Sequence, residues 1–177
     1  MSDSLHPGSL RPSSPAERGM TLVELLFTLL VLAILVAMAA PSFRDASLGG
    51  RLTATANSLL GSIQVARSEA IKANAPTTLC ASADGLTCAV SGDWDQGWIV
   101  LDSADNVIHS EPAQPNGFKV VEAAAERTFT FQPIGIGNTA GLFTICRETP
   151  LGRQERVLSM TAAGLATVIQ TEAGACP

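Results

Sequence analysis

Glu24 is the one ionisable side chain in a run of 21 residues, Met20 to Ala40, that is apolar almost throughout and directly follows Gly19. At about 1.5 Å rise per residue, a helix of that length is roughly 30 Å long and can cross a bilayer core. An ionised side chain near one end of it costs at least ~2.5 kcal/mol in lipid unless it meets a partner. The chemistry open to Glu24 is therefore charge pairing: in low dielectric, a carboxylate and a cation satisfy each other when neither reaches water.

Other side-chain chemistry is sparse. Cys80, Cys88, Cys146 and Cys176 all lie beyond the apolar run. An even number on one side of a membrane reads as disulfides in an oxidising compartment. Three pairings are open. Cys80 with Cys88 closes a short local loop and is the bridge expected; Cys146 with Cys176 would tie the last residues to a strand. There is no Cys-x-x-Cys pair, and beyond residue 19 only His109 could join a cysteine site, so zinc is not expected. Asp102-Ser103-Ala104-Asp105-Asn106 lacks the ligand spacing of a calcium loop and reads as a polar hairpin turn. The glycines 135, 137 and 141 lack the nucleotide-binding spacing, and Pro133 to Gly141 reads as a hairpin loop. Without a Gly-x-Ser-x-Gly nucleophile motif, and with His109 read as a surface residue, no enzyme and no cofactor are expected.

The elements that must position these groups follow from periodicity. Residues 1–19 are rich in Ser, Pro and Gly and carry no hydrophobic pattern, which reads as a disordered leader. After Pro41, Leu48, Leu52, Ala56, Leu59, Ile63, Ala66 and Ala70 recur at three- and four-residue steps, one apolar stripe along a helix. Gly49 and Gly50 interrupt it at a cost of ~1 kcal/mol each relative to alanine, which makes the join a candidate for bending. From Thr77 the pattern becomes short strands: Thr77–Ala81, Gly97–Leu101, Val107–His109, Arg127–Phe131, Leu142–Arg147, Arg156–Thr161 and Ala166–Gln170. The composite is α+β: one long N-terminal helix whose second half packs onto an antiparallel sheet, with cysteines fastening loops and tail.

The chain of 177 residues fits one domain plus appendages, with about 135 residues beyond Pro41 for a modest core. Its net charge is −5, and because Asp3 and Glu17 cancel Arg11 and Arg18, loss of residues 1–19 leaves that charge unchanged. An acidic chain argues against a broad nucleic-acid surface, which rests on clustered Lys and Arg. Arg11 and Arg18 precede the apolar run while Arg44 and Arg51 follow it, so charge bias sets no orientation.

Gly19-Met20-Thr21-Leu22-Val23-Glu24 resembles the processing junction of type IV pilins and pseudopilins, and Pro41 matches a proline seen in many members. The resemblance implies that prepilin peptidase cuts between Gly19 and Met20 and that Met20 becomes N-methylated. Glu24, then fifth in the mature chain, would neutralise the free N-terminal amine of a neighbouring subunit during assembly. It also implies four segments: a cleaved leader (1–19), a transmembrane and assembly helix (20–40), its amphipathic continuation (41–75) and a β-rich soluble domain (76–177). A plain membrane anchor leaves Glu24 without a role. A signal peptide cut near Ala37-Met38-Ala39 is disfavoured because Leu25 to Ala40 alone is 16 residues, longer than the usual ~7–15-residue apolar core.

Within that superfamily, four stretches resemble the H-type minor pseudopilins of type II secretion and the FimT/FimU-like minor pilins. They are Ala66-Arg67-Ser68-Glu69-Ala70-Ile71, Thr78-Leu79-Cys80, Gly92-Asp93-Trp94-Asp95-Gln96-Gly97-Trp98-Ile99-Val100 and Phe143-Thr144-Ile145-Cys146. The resemblance implies the type IV pilin fold and a non-enzymatic subunit at or near the tip of a pilus or pseudopilus, where it primes assembly. Its partners would be other pilins of the filament, prepilin peptidase and inner-membrane lipid, with the soluble domain in the periplasm before assembly. The alternatives are a DNA-binding minor pilin acting in uptake and a plain membrane-anchored periplasmic binding domain. Some FimT-like relatives bind DNA through a basic Gly-Arg-containing loop. The corresponding Ala163-Gly164-Leu165-Ala166-Thr167 has no arginine, and Glu148 and Glu155 dilute the cluster Arg147, Arg153 and Arg156. Direct nucleic-acid binding is not expected.

Overall fold

The computed structural model describes residues 19–135, 139–149, 152, 154–172 and 176, and of residues 40–42 and 44 the backbone alone. Most of the expected leader, Gly137 and Arg153 therefore lie outside the described residues. Helix α1 (Leu22–Ala73) is assigned without interruption. The chain's contacts divide it into two units, Met1–Ser42 and Phe43–Pro177.

In the first unit, α1 opens on a cap. The Thr21 hydroxyl accepts the Glu24 backbone N–H at 3.2 Å, which satisfies one of the amides a helix start leaves unpaired. Leu22–Ala39 is long and apolar enough to cross a membrane, and its side chains are exposed throughout. Such a surface requires lipid or neighbouring helices to cover it.

In the second unit, the apolar stripe lies where the periodicity put it. Leu52, Ala56, Leu59, Ile63, Ala66 and Ala70 are fully buried, and Leu48 is half-buried. Gly49 and Gly50 produce no break in α1. Gly49 is buried because Gln154 crosses there: a Cβ on Gly49 would lie 2.7 Å from the Gln154 Oε1. The helix ends at Ala73. Asn74 takes φ +50° and the Ala75 N–H returns to the Ala70 carbonyl at 3.2 Å, a left-handed C-terminal cap.

Eight strands follow: β1 (Thr77–Ala81), β2 (Trp98–Leu101), β3 (Val107–Glu111), β4 (Phe118–Glu122), β5 (Thr128–Phe131), β6 (Gly141–Arg147), β7 (Glu155–Met160) and β8 (Ala166–Thr171). Seven match the predicted strands to within two residues; β4 was not predicted. The expectation of one sheet is corrected. Two four-stranded antiparallel sheets form, ordered β3-β2-β1-β5 and β4-β6-β7-β8. Pro133 to Gly141 is consequently no hairpin loop: β5 and β6 belong to different sheets, so this stretch crosses between them. The stretch Asp102–Asn106 is a hairpin turn, with Asp102 accepting the Ala104 and Asn106 N–H groups at 2.8 and 2.9 Å.

The helix stripe and both sheets share one core. Trp94 meets Phe129 of the first sheet and Phe143 of the second at ring-centroid distances of 5.7 and 5.1 Å, the latter edge-on. The disulfides join Cys80 to Cys88 and Cys146 to Cys176. Cys80 packs with Ile99 and Leu101 in a separate small cluster, apart from Leu79 and Ala81 beside it, so the bridged loop covers the face of the first sheet turned from the helix.

Candidate functional site: the N-terminal junction and the domain it carries

Gly19, Met20 and Thr21 precede α1, and Glu24 sits in its first turn with its side chain exposed. A carboxylate there faces the positive end of the helix dipole. Thr21 and Glu24 have the Thr-x-x-Glu spacing that marks helix starts; the Thr21 cap is a functional neighbour that the reading of the junction missed, although the spacing carried it. Glu24 is thus held at a fixed place at the mouth of an exposed apolar helix.

The Trp-x-x-x-Trp segment is structural. The Trp94 indole donates to the Glu126 carbonyl at 2.8 Å, and Lys119 pairs with Asp95 at 2.9 Å. The Asp95 carboxylate beside it holds the Lys119 ammonium above its ordinary range. Gly97 has φ +109° and a Cβ there would lie 2.7 Å from the Glu111 carbonyl oxygen, which is why glycine stands between Gln96 and Trp98.

Of the Arg147, Arg153 and Arg156 cluster, the two described arginines do not face solvent. Arg147 and Arg156 are buried, with 6% and 7% of their surface exposed. Arg156 donates to the Thr53 hydroxyl at 3.1 Å and to the Glu155 carbonyl at 3.0 Å. Arg147 approaches Asp45 at 3.8 Å. The turn Thr161–Leu165 between β7 and β8 closes on backbone bonds, Thr161 N–H to Leu165 C=O at 2.9 Å and Gly164 N–H to Thr161 C=O at 2.8 Å. His109, expected at the surface, is half-buried, with its Nε2 enclosed and without a hydrogen-bond partner among the described residues. No cluster of metal-ligating side chains occurs among the described residues.

Residues 55–164 match the family model of the type II transport protein GspH. The chain belongs to the GspH family. Residues 14–40 match the prokaryotic N-terminal methylation motif, which spans Gly19, Met20 and Glu24. The solved type IV minor pilin FimU of Pseudomonas aeruginosa is similar in one crystal form at TM-score 0.54 and 25% identity, over 68% of this chain and 89% of that one. A second crystal form gives TM-score 0.50 and 23% identity, over 66% and 91%. The minor pseudopilin EpsH from the type 2 secretion system of Vibrio cholerae is 12% identical at TM-score 0.48, over 66% and 94%. A comparison by sequence with curated proteins gives no match.

The GspH match begins within the buried stripe of α1 and ends in the β7–β8 turn. It therefore contains both sheets up to β7, the Trp94–Trp98 segment and the first disulfide. The methylation motif supplies the junction and the apolar helix. Together they make this a minor pilin or pseudopilin with the type IV pilin fold.

Proposed function

We propose that the chain is processed after Gly19, N-methylated at Met20, held in the bacterial inner membrane by residues 20–40 and drawn from there into a type IV pilus or type II secretion pseudopilus. It acts at or near the filament tip, where it primes assembly. The observation that carries this reading is the exposed Glu24 carboxylate in the first turn of an uncovered apolar helix, immediately after the Gly19-Met20 junction. An acid in lipid lacks a cation, and the amine released at Met20 of an adjoining subunit supplies one. The methylation-motif match supports the processing step, and likeness to FimU supports placement among minor subunits.

Mass spectrometry of the mature chain tests the reading: it should begin at N-methylated Met20, and any other start overturns it. Glu24→Ala should stay in the membrane fraction and be lost from sheared filaments. Normal entry of that variant into filaments would refute charge pairing while leaving processing intact.

A further inference from the structure

Arg67 is a half-buried guanidinium with no hydrogen bond and no ion pair among the described residues. Its Nε–H is enclosed without a partner among the described residues, and a buried donor left unpaired is destabilising. The guanidinium lines a cleft of about 360 Å³ in which it is the sole ionisable group. One wall is a face of α1, where Gln64, Arg67, Ser68 and Ile71 recur at helical spacing; the other is the closed β7–β8 turn, including Leu165. Gly135 approaches from the crossing between sheets: a Cβ there would sit 3.9 Å from the Arg67 Nη2 and from the Ile71 Cδ1. Ile71 is 50% exposed and Leu165 56%, so apolar side chains flank an unneutralised cation.

From this geometry we infer that the cleft receives an acidic segment of a neighbouring filament subunit, an Asp or Glu flanked by aliphatic residues, with Arg67 taking the carboxylate. The inference deepens the proposed assembly role and rests on it. Charge complementarity selects the occupant. Arg67 is an uncompensated positive charge in a chain of net charge −5, and a carboxylate meets a guanidinium with two parallel N–H···O bonds. Ile71 and Leu165 give the flanking aliphatic groups a surface to leave water against. A nucleic acid fits less well. Phosphate binding draws on several clustered cations, and this cleft presents one, with Arg147 and Arg156 buried elsewhere.

The test places a photoreactive benzoylphenylalanine at Leu165 of the full-length chain in cells that build the filament. The crosslinked peptide is then mapped by mass spectrometry. It should come from another filament subunit and carry Asp or Glu beside apolar residues. Crosslinking should fall about fivefold or more with Arg67→Gln and recover only in part with Arg67→Lys, which keeps the charge and loses the bidentate fork. Gln64→Glu on the exposed helix face keeps the fold and supplies a competing carboxylate at i,i+3, so it should lower the yield as well. Yield indifferent to Arg67→Gln and Gln64→Glu, a crosslinked peptide without a carboxylate, or a crosslink to nucleic acid overturns the inference. If the unlabelled wild-type chain is itself absent from filaments, the assembly reading falls first and this inference with it.

Discussion

The Trp98 indole N–H donates to the Ser62 hydroxyl at 2.9 Å, with both residues wholly buried. Ser62 adjoins the apolar stripe of α1, and Trp98 opens β2, so one hydrogen bond fixes the helix against the first sheet. Ser62 in turn donates to the Ser58 carbonyl at 3.0 Å, which keeps its lone pairs turned to the indole. Ser62→Ala leaves a buried indole N–H without an acceptor and should cost roughly 1–3 kcal/mol. Urea denaturation followed by tryptophan fluorescence measures it; an unchanged midpoint would show that the bond contributes nothing.

Each disulfide closes a loop of different length, spanning 8 residues for Cys80–Cys88 and 30 for Cys146–Cys176. In the chain-entropy account, the longer loop restrains the unfolded chain more, by about 1 kcal/mol. Cys146→Ala with Cys176→Ala should therefore destabilise more than Cys80→Ala with Cys88→Ala, each pair costing roughly 2–4 kcal/mol. Thermal unfolding of the two double variants ranks them. The reverse order would mean that packing around Cys80, Ile99 and Leu101 outweighs loop entropy.

Much of the fold was legible because its signals are local. The α1 stripe from Leu52 to Ala70 follows helical spacing with small and aliphatic residues alone, and nothing in its surroundings contradicts that pattern. Strand β4 was illegible because it turns Glu122 inward beside Phe118 and Val120. That carboxylate is satisfied by the N–H groups of Ala124 and Glu126 at 2.8 and 2.9 Å and of Leu142 at 3.3 Å, one of them distant in sequence. Burial of a charge by donors outside its own strand leaves no periodic trace. Division into two sheets was equally hidden, since alternation identifies a strand and says nothing of its partner. At the junction, Glu24 stands out by chemistry and Gly19-Met20 by resemblance, whereas Arg67 carries no signal of a site in the sequence, because the β7–β8 turn that forms the other wall of its cleft lies far away along the chain.

Asp84 lies inside the Cys80–Cys88 loop and accepts from the Leu86 and Thr87 N–H groups and from the Thr87 hydroxyl, each at 2.8 Å, and from Ser82 at 3.0 Å. Those donors, the Thr87 backbone N–H foremost, hold its carboxyl well below the usual carboxylate range. A folded pKa below the unfolded one stabilises the native state above the unfolded value of about 4, and that contribution is lost as pH falls below it. Asp84→Asn should thus lower Tm at pH 7, with the gap to wild type narrowing as the pH is taken below about 4. A gap independent of pH would show that the loop does not depend on the ionised form.

Arg156 clips β7 to α1, reaching the Thr53 hydroxyl at 3.1 Å and the Gly49 carbonyl at 3.5 Å from a buried position, with no carboxylate partner among the described residues. Its stem packs as an apolar group while its head serves polar atoms of the helix. Arg156→Ala removes both and should cost roughly 2–4 kcal/mol, whereas Arg156→Met keeps the volume and should cost less than half of that. Chemical denaturation of the two variants separates packing from hydrogen bonding: equal losses would assign the effect to the polar head. The same pair decides how any loss of nucleic-acid retention in an Arg156→Ala variant is read. If wild type is retained and Arg156→Met, at restored stability, is retained equally, the loss in Arg156→Ala reflects unfolding and the arginine belongs to the fold. Salt-sensitive retention by wild type that Arg156→Met abolishes at full stability would instead assign it to a phosphate contact.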